Sequence, residues 1–190
     1  FKKILAKLSK LSSSFEENLL DSVNNYSLTI TDKKKLKGIP KDVIEKARNN
    51  ARIQKKTGWS FSLDFPSYLP LMQYADNREL RKEIYYAYAT KASDLSDKAT
   101  DNTKNINNIL LNKKKLSNLL NFPNYASMAL ETKMANSSDE VIKFLKDLAS
   151  KAKSFAKKDM SDITEYGHKF DIKNIEAWDI AYLSEKLKED

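Results

Sequence analysis

The stretch Gly58-Trp-Ser-Phe-Ser-Leu-Asp-Phe-Pro-Ser-Tyr-Leu-Pro70 (GWSFSLDFPSYLP) departs from an otherwise helical sequence. Its strict alternation of apolar and polar residues up to Pro66 is typical of a half-buried β-strand. One face carries Trp59, Phe61, Leu63 and Phe65, and the other carries Ser60, Ser62 and Asp64. A lone strand leaves its backbone N–H and C=O groups unpaired, so it needs a partner, and the β-branched segment Leu28–Thr31 is the other candidate. We therefore predict one short antiparallel β pair, about 28–31 with 59–65.

On both sides of this stretch, apolar residues recur every three or four positions, which predicts helices. The first helix should carry its apolar stripe on Ile4, Leu8, Leu11, Phe15, Leu19, Val23 and Tyr26. Further helices are predicted from Pro40 to about Lys56, Ser67 to Ala75, about Arg78 to Ala92, Asn102 or Thr103 to Phe122, Asn124 to Ala135, Ser137 to near Gly167, and through Trp178 to the end. The predicted fold class is mainly α, a multi-helix lobe with one β pair, in a single helical region over residues 1–190.

The long helix that follows Ser137 is predicted to pack against another helix. Ser137 and Glu140 have the spacing of a capping box, which marks its start. Its apolar residues recur every seven positions at Ile142, Ala149, Ala156 and Ile163, with Leu145, Leu148, Ala152 and Phe155 alongside. Such a repeat is typical of a seam between antiparallel helices, and it is interpreted as structural packing and not as a cofactor site.

The charge of the chain is large but evenly spread. The formal net charge is +8, from 34 Lys and Arg against 26 Asp and Glu. The arginines are Arg48, Arg52, Arg78 and Arg81. Proteins that read nucleic acid usually concentrate basic residues on one face and use arginine. The lysines are therefore interpreted as a solvated surface, with no nucleic-acid partner. The alternative interpretation is a free-standing basic helical module that binds nucleic acid or an acidic protein.

The composition also bears on the compartment. The chain contains no cysteine, so it has no disulfide framework, and we expect a reducing, cytoplasmic location. No apolar run approaches the roughly 20 residues that a membrane-spanning helix needs, and no signal peptide is visible, so no membrane partner is expected. Both ends of the chain lie inside helical patterns, and we expect an excised piece of a longer protein.

No complete catalytic set is visible in the sequence. Glycines are too few for a phosphate-binding loop, and the one histidine, His168, stands three residues after Glu165. In di-iron helix bundles that spacing supplies ligands, but two copies are required, so a surface histidine near a helix end is the favoured interpretation. Tyr74, Tyr85, Tyr86 and Tyr88 are either a stacking platform or, as we favour, packing residues. We predict no catalytic, cofactor-binding or metal-binding residue in this chain.

Several segments form a series in order along the chain: Leu8-Ser9 to Phe15–Asp21, Gly38-Ile-Pro40, Trp59 to Pro70, Asp76 to Arg81, Ala87 to Asp94, Leu120 to Ala126, Thr132 to Ala135, and Trp178 to Tyr182 with Lys186. Together these segments resemble the oligopeptidase A and thimet-oligopeptidase family of zinc metallopeptidases. None of them is specific alone, but together they span Leu8 to Lys188. The resemblance implies a mostly helical peptidase with two lobes around a channel that admits short unfolded peptides.

The resemblance also implies what the chain lacks. The family holds zinc with a His-Glu-x-x-His helix and a downstream glutamate, and the Glu within the motif acts as general base on the zinc-bound water. A chain with one histidine cannot contain that motif, so none of these residues carries over. We expect a catalytically silent fragment of the N-terminal or middle lobe that binds no zinc, with the remainder of the same polypeptide as its partner. A large exposed apolar patch, or self-association that hides it, should result.

Overall fold

Helices make up most of the computed structural model, which describes all residues 1–190. The helices are α1 (Lys2–Asn24), α2 (Lys41–Ile53), α3 (Phe65–Tyr74), α4 (Arg78–Thr90), α5 (Thr103–Leu119), α6 (Tyr125–Leu130), α7 (Ser138–Gly167) and α8 (Ala177–Glu189). Short 3-10 turns lie at Lys33–Leu36, Lys98–Thr100 and His168–Phe170. The predicted fold class, mainly α with one short strand pair, is confirmed. None of the helices has the length and apolarity needed to cross a membrane.

The predicted strand pair is present but shorter than expected. β1 (Leu28–Ile30) pairs antiparallel with β2 (Trp59–Phe61), with Leu28 opposite Phe61. The extension of the second strand to Phe65 is wrong, because Asp64 caps α3: its carboxylate accepts a hydrogen bond from the Ser67 backbone N–H at 2.8 Å. A residue that caps a helix ends the extended run that precedes it.

The expected polar face of this strand is also wrong at Ser60, which is fully buried. Its hydroxyl donates to Gln54 Oε1 at 3.0 Å and lies 2.8 Å from the Ser27 hydroxyl. Gln54 stands at the C-terminus of α2, which packs against β2. Because α2 covers the side of the strand that alternation assigns to solvent, both faces of β2 are partly buried.

Two apolar clusters form the interior. The larger lies where α2, α3 and α4 meet the strand pair and contains Val43, Ala47, Phe61, Leu63, Leu71, Leu80 and Ile84. The smaller joins the end of α7 to α8 and contains Ile163, Tyr166, Ile172, Tyr182 and Leu183. The helices α3, α4 and α8 therefore form a packed unit with the strand pair, and only the last turns of α7 reach it.

The predicted boundaries hold for some helices and fail for others. Ser137 caps α7 by accepting from the Glu140 N–H at 3.1 Å, and α7 ends at Gly167, as predicted. The Glu140 carboxylate, however, accepts from the backbone N–H of Asn136 at 2.7 Å, one residue earlier than a capping box requires. The expected helix from Asn124 to Ala135 is wrong beyond Leu130, because residues 131–134 form turns before α7 begins.

Candidate functional site

A buried ion cluster joins α4 to α8. The Asp179 side chain is 0% exposed and the Arg81 side chain is 1% exposed. Arg78 donates Nε to Asp179 Oδ1 at 3.0 Å and Nη2 to Oδ2 at 2.7 Å, and Arg81 donates Nη2 to Oδ1, the oxygen that Arg78 Nε also binds, at 2.9 Å. Charge-assisted bonds of this kind are about twice as strong as neutral ones, so one carboxylate fixes two arginines of the neighbouring helix.

Local sequence explains how these groups meet. Asn77 caps α4 by accepting from the Leu80 N–H at 2.8 Å, and this places Arg78 and Arg81, three residues apart, on one face of the first turn. Asp179 stands in the first turn of α8, where its carboxylate also accepts from the Glu176 N–H at 3.1 Å. A carboxylate is favoured at this position by the helix dipole.

The second arginine links further elements through its remaining donors. Arg81 donates Nη1 to the carbonyl of Ala75 at 2.8 Å and Nε to the carbonyl of Trp178 at 3.2 Å, and its guanidinium lies 4.0 Å from the Tyr182 ring centroid. The Tyr182 hydroxyl donates to Asp76 at 3.1 Å. The cluster therefore connects the end of α3, the start of α4 and the first turns of α8.

The electrostatics of the cluster follow from this packing. Burial acts to raise the pKa of Asp179, but hydrogen bonds from Arg78 and Arg81 outweigh it and hold the pKa below its ordinary value. Burial, together with the nearby charge of Asp76, raises the pKa of Tyr182 to about 12. Asp179 is thus ionised near neutral pH, and two guanidiniums and the Glu176 N–H occupy its oxygens, so it is not placed to reach a substrate or to transfer a proton.

A groove beside the cluster is lined by charged side chains, most of which have partners within the protein. Lys37 pairs with Asp76 at 3.2 Å, and Lys186 pairs with Glu189 at 2.8 Å. Arg78, at the edge of this groove, pairs with Asp179. Lys37, Arg78 and Lys186 are thus paired within the protein, and Asp171 is the charged lining residue without an ion-pair partner. One exposed carboxylate does not define a site for a charged ligand.

The residues of this chain do not fit a metal centre. His168 is exposed at the C-terminal end of α7. Among the described residues, no group of three His, Cys, Asp or Glu side chains converges on a point that could hold a metal ion. A zinc site requires three or four such ligands, so no catalytic step at zinc can be assigned to residues 1–190.

Three of the four tyrosines considered as a platform, Tyr74, Tyr85 and Tyr88, make separate contacts. Tyr88 stacks on Tyr68 with ring centroids 3.8 Å apart, and Tyr85 packs edge-on against Trp178 at 6.0 Å. The Tyr74 hydroxyl donates to Glu185 at 3.2 Å, while Tyr86 is 58% exposed. These contacts hold α3 and α8 against α4 and agree with the packing interpretation.

The expected partner of the long helix is missing from these 190 residues. From residue 142 to residue 162 every side chain of α7 is exposed. Leu145 and Leu148 are each 54% exposed and Phe155 is 72% exposed. Together with Ala152, these residues form what we call the apolar seam of α7. The prediction that the seam packs against a helix is therefore wrong within this chain, because its C-terminal turns alone reach α8.

Sequence reasoning did not identify the ion cluster as such. Its residues lie in the segments Asp76 to Arg81 and Trp178 to Tyr182, which were noted for the family resemblance alone. The available signal was the placement of Arg78 and Arg81 three residues apart in a chain whose cations are almost all lysines. That pattern suggests a bidentate carboxylate partner, but about 100 residues separate it from Asp179, and no local pattern connects the two.

Comparison with known proteins identifies relatives over almost the whole chain. Residues 71–190 match the model of peptidase family M3. Oligopeptidase A of Escherichia coli is 38% identical over 189 residues, which are 98% of this chain and 28% of the relative. A probable cytosolic oligopeptidase A of Arabidopsis thaliana is 36% identical over 201 aligned residues, covering 100% of this chain and 28% of the relative.

A more distant relative is saccharolysin of Saccharomyces cerevisiae, 26% identical over 161 residues that cover 84% of this chain and 21% of that protein. The chain thus spans 28% of the length of the two oligopeptidase A relatives named above. The family model covers well over half of the chain, including Arg78, Arg81 and Asp179. The chain therefore belongs to peptidase family M3, as a member of the oligopeptidase A and thimet-oligopeptidase family.

Proposed function

We propose that this chain is a helical lobe that forms part of the channel wall of a zinc-dependent oligopeptidase, which hydrolyses short peptides in the cytoplasm. On this proposal residues 1–190 are one region of a longer polypeptide and hydrolyse nothing alone. The observation that carries the proposal is the alignment of 98% of the chain with 28% of oligopeptidase A at 38% identity.

Two features of the structure support the proposal that this chain forms part of a channel wall and carries no catalytic centre. The described residues include no group of side chains able to hold a metal ion, so the zinc ligands are proposed to lie in sequence outside residues 1–190. The ion cluster of Arg78, Arg81 and Asp179 holds three helices in one arrangement. Rigid support of this kind is what a channel wall contributes to catalysis, because substrate positioning depends on it.

The alternative of a basic module that binds nucleic acid receives less support from the geometry. Arg78 and Arg81, half of the arginines, are engaged with Asp179. They are therefore not free to bind phosphates in the bidentate manner that favours arginine at such interfaces. The remaining cations are almost all lysines, and many lie beside acidic residues.

A peptidase assay on two proteins tests the proposal. The 190-residue chain and the full-length polypeptide encoded by the gene are incubated with an internally quenched short peptide, and bound zinc is measured in each. We expect cleavage only by the full-length protein, abolished by a chelator and restored by zinc, and no stoichiometric zinc in the 190-residue chain. Cleavage by the 190-residue chain, or a full-length protein without chelator-sensitive cleavage, would overturn the proposal.

A further inference from the structure

The middle of α7 is attached to the rest of the structure only through its two ends. The helix has 30 residues and is therefore about 45 Å long. Its N-terminal turn is near α6, and Ile163 and Tyr166 near its C-terminus pack into the smaller apolar cluster. Between them, residues 142–162 are exposed on all sides. Helices owe most of their stability in proteins to the packing of an apolar face, and this one has a face without a contact.

The spacing of the seam specifies the kind of surface that fits it. Leu145, Leu148, Ala152 and Phe155 follow one another at intervals of three, four and three residues, which is the spacing of positions that interlock with a second helix. Ala149 and Ala156 lie directly beside them. Small side chains in a seam let helix axes approach within about 8–10 Å. The seam is thus shaped for an amphipathic helix and not for a flat or extended surface.

The charges beside the seam restrict the partner further. Along the exposed residues 142–162, lysines outnumber acidic residues six to three. At about 100° per residue, four of these lysines flank the seam, Lys146 and Lys153 on one side and Lys151 and Lys158 on the other, while Lys143 and Lys157 lie on the far side of the helix. Of the acidic residues, Asp147 pairs with Lys151 at 2.7 Å, and Asp159 and Asp162 lie at the C-terminal end of the exposed segment. A second copy of this chain would bring the same lysines against each other, which like-charge repulsion disfavours. A polyanion would match the lysines but leave the apolar seam in water.

We infer that the apolar seam of α7 is the docking surface for an amphipathic helix, with acidic residues flanking its apolar stripe, in the part of the same polypeptide outside residues 1–190. The chain spans 28% of the length of oligopeptidase A, so most of such a protein is available to supply this helix. The inference rests on the proposed function for the existence of a longer polypeptide. It adds which face of this lobe is covered and by what chemistry.

Hydrogen exchange followed by mass spectrometry tests the inference. The amides of residues 142–162 are compared between the 190-residue chain and the full-length polypeptide. Docking should slow their exchange by about tenfold or more in the full-length protein, without added peptide. Equal exchange in the two proteins would overturn the inference, as would protection that arises only when a peptide substrate is added, since the seam would then face the channel.

A matched pair of variants separates docking from folding. Leu148→Glu changes the seam, and Ser150→Glu changes an exposed position on the opposite side of the helix. Both positions are exposed in the 190-residue chain, so neither variant should alter its thermal unfolding. In the full-length polypeptide, Leu148→Glu should return the exchange of residues 142–162 to the rate of the 190-residue chain, while Ser150→Glu should leave protection intact. Equal effects of the two variants would contradict docking through the seam.

The outcome is independent of the peptidase assay. Chelator-sensitive cleavage without protection of α7 would sustain the proposed function and reject the docking surface. Protection of α7 in a full-length polypeptide that cleaves nothing would reject the proposed function and sustain the docking surface.

Discussion

At the scale of single residues, Asp179 joins the largest number of charged partners in the interior. Its carboxylate is fully buried and binds two arginines from α4, and one of them, Arg81, is itself buried and donates to three backbone carbonyls. A buried ion pair is not by itself strong evidence for stability, because both charges lose their hydration. Removal of one partner is nevertheless costly, since it leaves an uncompensated charge in the interior.

Asp179→Ala should therefore lower the free energy of unfolding by about 3–5 kcal/mol, because the Arg81 guanidinium stays buried without its counter-charge. Chemical denaturation monitored by circular dichroism measures this value. Asp147→Ala is the matched control: it removes an exposed carboxylate that pairs with Lys151, and such surface pairs contribute only about 0.3–0.5 kcal/mol. A loss no larger than in this control would show that the cluster does not hold α8 in place.

The buried tyrosines predict a loss of stability in alkaline solution. Burial and the nearby Asp76 raise the pKa of Tyr182 from 10.0 to about 12. In the unfolded chain the phenol loses its proton near its ordinary value while the folded chain still holds it, so stability is complete below pH 10 and falls between pH 10 and about 12.

Thermal unfolding across that pH range measures the effect. Tyr182→Phe should make the unfolding temperature fall less steeply with rising pH, because it removes the titrating group. Tyr86→Phe is the control, since the Tyr86 ring is mostly exposed. A wild-type protein whose unfolding temperature stays constant between pH 10 and 12 would contradict the raised pKa.

At the scale of elements, the strand pair depends on the residues at its borders more than on its alternation. Asp64 ends β2 by capping α3, and Gly58 begins it with a backbone φ of +102°. At Gly58 a Cβ atom would collide with the carbonyl oxygen of Ile30, the residue that opposes Trp59 in the pair. The close approach of the two strands therefore requires glycine at this point.

Gly58→Ala should lower the free energy of unfolding by about 1–3 kcal/mol, through the strained φ and the contact with Ile30. Thr57→Ala is a control at the neighbouring exposed position and should change stability by no more than about 0.5 kcal/mol. Denaturation curves of the two variants provide the comparison. If both variants have the same free energy of unfolding as the wild-type protein, the close approach of the strands at Gly58 does not contribute to stability.

At the scale of the whole molecule, two features of α7 have opposite effects on self-association. The apolar seam favours the pairing of two chains, and the lysines disfavour it. Charges separated by more than about 10 Å are screened at 0.1 M salt, and this distance falls to about 3 Å at 1 M. We therefore predict that the 190-residue chain stays monomeric at low ionic strength and forms dimers as salt is raised, because screening removes the repulsion between lysines such as Lys151 and Lys158.

Sedimentation velocity at several salt concentrations measures this equilibrium. Leu148→Glu should abolish the dimer, and Ser150→Glu, on the opposite side of α7, should weaken it little. Association that decreases with rising salt would mean that ion pairs, and not the seam, hold the copies together.

Neighbouring residues account for the helical periods, for the cap at Ser137 and for the extended stretch after Gly58, and ordered segments along the chain carry the family resemblance. The partner of that stretch follows by elimination, because Leu28–Thr31 is the other strand candidate. The burial of Ser60, the contact of Asp179 with Arg78 and Arg81, and the uncovered seam of α7 are visible in the folded structure alone. Each of these depends on contacts between elements distant in sequence, and residue spacing along the chain contains no information about which distant surface lies opposite.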